Sequence, residues 1–344
     1  MSKLVVTSIG PASSVQDGGR PGSQRYGLTP SGAMDRLSLA TANTLVGNEP
    51  FAAAVEIGPF GATFTARGGA VRVGLAGASR NADIGGRPVA FDSSATLAEG
   101  ETLNLGFARG GSFSYLAIEH GIEGEPMFGS LAVNARAGLG SPYPRPLQSG
   151  DELKTKAASG ATERRIELPA AIDAPIRVVF GPQDDEFTEE NKQLFLDSEW
   201  KISATSDRMG YRLEGAVIKH RDGHNIVSDG TVNGSIQVPG NGQPIVLMPD
   251  RGTSGGYPKI ATVITADLGR FAQTSAGRPF RFKAVTMAEA QAEAIKFHAL
   301  LHSLSDRLRG IDDFGLNIEA LRDANVAGQA VSAVDVSTWQ VALP

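Results

Sequence analysis

Glycine punctuates this sequence so often that long regular elements have little room, and that limits what the chain can become. Among 344 residues there are 42 glycines, while aromatic residues make up only 6%. Glycine supplies the positive φ that tight turns demand and weakens the interior of a helix. Between the glycines lie short apolar runs at residues 4–9, 71–75, 115–118, 176–180, 245–248 and 280–285, which read as strands. A mainly β (α+β) fold follows, with a few peripheral helices. In the first of these, Asp35 stands where a cap is needed, Leu39, Ala42, Leu45 and Val46 recur at helical spacing, and Gly47 is placed to end it. Residues 186–200 and 287–308 read as two more helices. No segment repeats at a fixed period.

A chain of this length can bury two cores without covalent staples. The polar stretch at residues 154–165, with Ala157-Ala158-Ser159-Gly160 inside it, marks a boundary. The expected division is a first domain over 1–160, a second over 161–290, and a C-terminal helix and tail over 291–344. A short helical pattern at 318–324 is the only regular feature expected in that tail.

Several functions are excluded by what is missing. With no cysteine there is no disulfide framework, thiolate metal site or cysteine nucleophile, which suits a reducing cytosol. A formal charge of -5 gives no electrostatic reason to approach nucleic acid or an anionic membrane. Residues 1–10 lack the length of a signal peptide, and no apolar run approaches the roughly 18 residues of a membrane helix. A soluble, cytoplasmic protein is expected, with small molecules and proteins as partners. Neither common nucleotide-binding glycine loop is present, and no lysine is flanked by methionine as a biotinylated lysine typically is.

The densest cluster of reactive groups is Asp250-Arg251-Gly252-Thr253-Ser254-Gly255-Gly256-Tyr257-Pro258-Lys259. It contains a literal Gly-x-Ser-x-Gly, which signals a hydrolase only where a strand turns through the serine into a helix. Pro258 opposes such a helix, so Ser254 reads better as a loop hydroxyl than as a nucleophile. Upstream, Ser206-Asp207-Arg208-Met209-Gly210-Tyr211-Arg212 offers two planar guanidinium forks suited to carboxylate, phosphate or carbamate. The alternative there is an exposed turn with solvated charges. Between the two stretches, Gln237 can pair with a ureido or lactam group, one donor to one acceptor. In the first half, Gln16, Asp17 and Arg20 are open to structural or binding roles, while Asp35 is explained by capping. His298 with His302 on a helix, and His220 with His224 in a loop with Asp222, have i, i+4 spacing; no third ligand is evident beside the helical pair, and no metal is expected.

Residues 16–22, 31–35, 42–48, 206–212, 236–248 and 253–259 together resemble the allophanate hydrolase subunit 2 family, also called the biotin-dependent carboxyltransferase family. The resemblance runs from about residue 10 to about residue 285 and lies in several long motifs kept in order. It implies two cyclophilin-like β-barrel domains and a subunit 1 or B-type partner. The chain departs from the family pattern at Glu119-His120-Gly121 and through residues 129–147, where Leu131-Ala132-Val133-Asn134 and Ser141-Pro142-Tyr143-Pro144 stand. Substrate choice is what those departures bear on.

Members of this family act on compounds with a carbonyl bonded to nitrogen, and activating such a carbonyl moves negative charge onto its oxygen. A site for this needs fixed donors aimed at that oxygen and a base for an N–H or a water. Arg208, Tyr257 and Lys259 are the candidate donors and Asp207 and Asp250 the candidate acids or bases. Gln16, Arg20, Arg212, Gln237, Thr253, Gly255 and Gly256 are the candidate substrate-binding residues. The leading expectation is a chain like the C-type subunit of ATP-dependent 5-oxoprolinase. The alternatives are the carboxyltransferase subunit of a biotin-dependent urea or amide carboxylase, an allophanate hydrolase subunit 2, and a non-catalytic regulator of its partner. ATP or carboxybiotin would arrive through other subunits. The two loops are expected to line one cleft, and alanine at Arg208 or Lys259 to reduce turnover with stability nearly unchanged.

Overall fold

The computed structural model describes residues 1–169 and 173–311. The 318–324 pattern and the rest of the tail lie outside the described residues. Residues 1–308 form one compact unit, mainly β, built as two sheet-based lobes.

The first lobe packs two sheets. One runs Glu152–Thr155, Ser2–Ile9, Ala62–Arg67, Thr102–Leu105, Ala82–Ile84, Arg87–Pro88 across its width. The other includes Ser14–Gln16, Ala54–Ile57, Arg109–Ile118, Val71–Ser79, Ser93–Leu97 and Arg164–Ile166 in that order. Their inward side chains, among them Leu4, Val6, Phe64, Val73, Leu75 and Leu116, make one apolar core. The second lobe is an eight-stranded sheet, ordered Pro279–Phe280, Trp200–Ile202, Gly210–Glu214, Ile245–Leu247, Ser235–Gln237, Lys259–Val263, Ile176–Phe180, Phe282–Ala284. The apolar run at 280–285 is divided at Arg281. Phe280 pairs with Trp200, and Phe282 pairs with Ile176, so two successive short strands serve opposite edges and curl the sheet toward closure.

Helix α1, Arg36–Leu45, is where the lobes meet. Asp35 caps it, its carboxylate accepting from the Leu37 and Ser38 N–H groups. Every residue from Ser38 to Leu45 is buried, which suits a helix enclosed on all sides. A Cβ at Gly74 would stand 2.2 Å from the Ala42 carbonyl, so glycine lets the helix lie directly on the Val71–Ser79 strand. Its other flank joins Met34, Leu39 and Ala42 to the core of the second lobe around Trp200, Phe271 and Phe282. Helix α2, Glu189–Asp197, sends Phe195 into that core, where it stacks on Phe282 at 4.7 Å. Helix α3, Leu268–Ala272, is not among the helices the sequence predicts; at one turn and a half it is too short for periodicity to register. Helix α4, Met287–His302, opens with a full capping box between Thr286 and Glu289. No helix of the described residues is long and apolar enough to cross a membrane.

Candidate functional site

Two polar clusters contain most of the residues singled out above, and they are separate. The first lies between the lobes. Asp207 Oδ1 accepts the N–H groups of Met209 (2.9 Å) and Gly210 (3.2 Å), fixing the turn that leads into the Gly210–Glu214 strand. That turn aims Arg208 inward. Its Nε donates to Asp250 Oδ2 at 2.8 Å, its Nη2 to Asp250 Oδ1 (3.2 Å) and to the Gly32 carbonyl (2.7 Å), and its Nη1 to Glu56 Oε1. Glu56, with no exposed surface, also accepts the Tyr115 hydroxyl (2.7 Å) and the Met34 N–H (2.8 Å). The Tyr115 oxygen in turn accepts the Asp35 N–H at 2.8 Å. One guanidinium thus joins two carboxylates and a carbonyl drawn from both lobes.

The electrostatics follow from that ratio. Burial pushes the Glu56 carboxyl up, opposed by Arg208 and by its hydrogen bonds. Burial also works against charge on Arg208, but Glu56 and Asp250 outweigh it and hold the guanidinium well above its ordinary value. Arg208 is therefore held by four hydrogen bonds, two of them to Asp250. It reads as a tie between the lobes and a holder of Asp250, which differs from a donor waiting for a carbonyl oxygen.

Beside this tie opens a cavity of about 570 Å³. Phe60, Phe113, Ile202 and Met209 give it apolar walls, and Asn134, Arg136, Asp207, Arg208 and Asp250 give it polar ones. Arg136 Nη2 lies 3.3 Å from Asp207 Oδ2, with side chains 71% and 42% exposed. The size and the mix of walls suit a small organic molecule with a few fixed polar groups.

Gln16, Asp17 and Arg20 are buried and do not line the cavity. Gln16 Nε2 donates to the Val133 carbonyl at 2.9 Å. Asp17 accepts from the Ser130 hydroxyl and the Leu131 N–H, both at 2.6 Å. Arg20 donates to the Ala132 and Met127 carbonyls, and burial lowers its pKa against the pull of Asp17 and Asp250. The Gln16-Asp17-x-x-Arg20 pattern is thus an anchor for residues 127–133, at the start of the 129–147 stretch singled out in the sequence. The lobes are further stitched by Thr29 Oγ1 and the Ser31 N–H, which both donate to the Pro249 carbonyl.

The second cluster is centred in the second lobe. Lys259, 1% exposed, pairs through Nζ with Asp229 Oδ2 at 2.9 Å. Gln183 completes a ring, donating to Asp229 Oδ2 (3.0 Å) and accepting the Lys259 N–H (3.2 Å). The Lys259 ammonium holds the exposed Asp229 carboxyl below its ordinary value. Gln237 is the cross-strand neighbour of Lys259, and its amide donates to the Tyr257 carbonyl at 3.4 Å. A Cβ at Gly255 would stand 2.3 Å from Gln237 Nε2, so that glycine is needed for close approach. Ser254 and Gly255 pair with Asp229 and Gly230 as a two-stranded ribbon, and the exposed Ser254 is followed by no helix. Thr253 supplies its carbonyl to the Thr231 N–H and to Gln24. Gly256 accepts from the Ile226 N–H, and Tyr257 is 39% exposed.

The expectation of one shared cleft therefore holds for Asp250 with Arg208 and not for Gln237, Tyr257 and Lys259, none of which lines the cavity. Sequence spacing could not show that the Asp250–Lys259 loop begins at one cluster and ends at the other. Arg212 lies outside both, closing its own loop through the Thr205 carbonyl. Sequence reasoning gave no site role to Glu56, Tyr115, Asn134 or Arg136. Contacts with residues far off in the chain define all four, and only the departure at 129–147 hinted at the last two. His220 packs on Phe187 and meets the Val238 carbonyl at 2.8 Å, and no group of three potential metal ligands occurs among the described residues.

Known proteins share this fold. The chain is 36% identical over 290 residues to the C-type subunit of 5-oxoprolinase from Escherichia coli (strain K12), covering 83% of this chain and 93% of that one. It is 34% identical over 277 residues to the protein of the same name from Haemophilus influenzae, covering 80% and 89%. The crystal structure of Kluyveromyces lactis urea carboxylase superposes with a TM-score of 0.78 at 25% identity, covering 89% of this chain and 30% of the larger one. The chain spans less than two thirds of the solved structures it matches, 56% in another case. A model of the carboxyltransferase domain, subdomain A and B, matches residues 26–284. That match takes in α1, both clusters and most of the residues that line the cavity between the lobes, and the chain belongs to the carboxyltransferase domain family of subdomains A and B.

Proposed function

We propose that this chain is the C-type subunit of a cytoplasmic, heteromeric enzyme that activates the carbonyl of a lactam or related amide, as a 5-oxoprolinase does. The similarity to the C-type 5-oxoprolinase subunit along nearly the whole of that protein carries this reading. The cavity between the lobes supports it, because it offers two carboxylates, Asp207 and Asp250, beside an apolar wall that fits a small ring. In this reading Asp250, held by Arg208, and Asp207 are the proton-accepting groups for a substrate N–H or an attacking water. Arg208 acts through Asp250 as a positioning residue. Lys259 and Gln237 fix the ribbon that carries Ser254 and Gly255, and Tyr257 is left exposed at its rim for a B-type partner. ATP would enter with that partner.

A second reading is the carboxyltransferase half of a biotin-dependent urea or amide carboxylase, favoured by the fold shared with urea carboxylase. Copurification with the native partner separates the two. ATP hydrolysis stimulated by 5-oxoproline and by neither urea nor allophanate supports the first reading. Stimulation by urea, dependent on a biotinylated protein, replaces it with the second.

A further inference from the structure

Two cations line the interlobe cavity among the described residues, Arg208 and Arg136, and they differ in what they can still bind. The Arg208 fork is committed to Glu56, Asp250 and the Gly32 carbonyl. Arg136 makes one ion pair, through Nη2 to Asp207 Oδ2 at 3.3 Å, and its side chain is mostly exposed.

Its backbone, by contrast, is held. Asn134 and Leu139 exchange hydrogen bonds across the turn, and the Ala137 N–H reaches both the carbonyl and the Oδ1 of Asn134. Asn134, itself 4% exposed, donates to the Ser31 hydroxyl at 3.2 Å. Just upstream the segment is pinned by Gln16, Asp17 and Arg20. Asp207 is equally fixed, since its Oδ1 takes two backbone N–H groups, and Arg136 is the side chain on its Oδ2. An exposed pair of this kind contributes little, so exchanging one carboxylate for another meets little resistance. A guanidinium that gains a second parallel hydrogen bond in the exchange favours the new partner.

We propose that Arg136 selects the ligand of this cavity, a small carboxylic acid whose carboxylate takes the guanidinium from Asp207 and leaves Asp207 Oδ2 free to face the bound molecule. Its apolar body lies against Phe113 and Ile202. A neutral amide of the same shape leaves the Arg136 to Asp207 pair closed. The proposal rests on the reading of the cavity as the substrate site, and it adds which side chain of this chain reads the substrate carboxylate.

The test uses the full chain with its copurified partner and compares 5-oxoproline with its neutral carboxamide by calorimetry. Arg136→Ala is expected to weaken binding of the acid roughly ten- to a hundredfold, the range for a hydrogen bond to a charged group, and to leave the carboxamide unchanged. Arg136→Lys recovers only part, because a point charge does not replace a planar fork. Equal losses for acid and carboxamide, or none for the acid, overturn the proposal. Cyclopentanecarboxylate, which has no lactam carbonyl, separates it from the proposed function. If that acid binds through Arg136 while the complex fails to turn over 5-oxoproline, carboxylate selection stands and the lactam reading falls. If 5-oxoproline turns over with a KM unmoved by Arg136→Ala, the lactam reading stands and Arg136 falls. A wild-type complex that binds neither acid overturns the proposal.

Discussion

Arg208 and Lys259 look alike in sequence as candidate donors, both are largely buried, and the structure gives them opposite surroundings. Arg208 gathers Glu56 and the Gly32 carbonyl from one lobe and Asp250 from the other. Lys259 meets one carboxylate, from its own lobe, and that carboxylate is 52% exposed. The first cation is a shared structural point whose loss takes the countercharge from a carboxylate with no surface. The second closes a local ring whose anion can turn to water. Burial alone therefore says little about the role of a charge; the number and exposure of its partners say more.

The largest expected effect tests that difference. Arg208→Ala should reduce stability by about 3–5 kcal/mol in urea denaturation, the range for breaking a buried pair from one side. This revises the expectation that alanine there leaves stability nearly unchanged, because that expectation treats Arg208 as an accessible donor. Combining it with Glu56→Gln should restore part of the loss. A single-variant loss below about 1 kcal/mol would make Arg208 no different from a surface arginine.

Asp250→Asn comes next. In the reconstituted complex it should lower kcat roughly a hundredfold, within the range for a lost general base. Lys259→Ala should leave kcat within about threefold if the cavity alone hosts the chemistry, against the scale of a hundredfold that a lost oxyanion donor produces. A hundredfold loss at Lys259 with full activity at Asp250 would invert the comparison and move the site to the second cluster. In stability, Lys259→Ala should cost about 1–2 kcal/mol, less than Arg208→Ala, because Asp229 keeps its hydration.

The smallest effect is a difference in sign with pH. Glu56 has a raised folded pKa, so the native state holds its proton more tightly than the unfolded chain does. Its contribution is fully present below the unfolded carboxylate range and is lost as pH rises through the folded value. Asp229 has a lowered pKa, so its contribution is present above that range and is lost as pH falls. Denaturation midpoints of Glu56→Gln and Asp229→Asn, measured against wild type from acid to neutral pH, should therefore diverge in opposite directions. Parallel shifts would show that one of the two environments is misassigned.

Much of the architecture is legible in the sequence because its causes are local. The cap at Asp35 and the stop at Gly47 locate α1 within a residue or two, and the strands at 4–9, 71–75 and 176–180 all appear, some longer than their apolar runs. The run at 280–285 reads as one strand and is two, because each half answers to a different edge of the sheet. Asp207, Arg208 and Asp250 do meet one cavity. Gln16 and Arg20 are anchors whose partners lie more than a hundred residues away, a distance over which spacing carries no information.

By itself, then, the sequence determined a turn-rich β chain without thiol chemistry, its capped helices, and the loops dense in charge and glycine, since each depends on residues close together along the backbone. Tertiary structure decided which of those charges are spent on one another. Saturation is a property of three-dimensional neighbours: the same guanidinium is a structural tie when Glu56 and Asp250 enclose it, and an available binding group when, like Arg136, it stands on a fixed turn with one exposed partner.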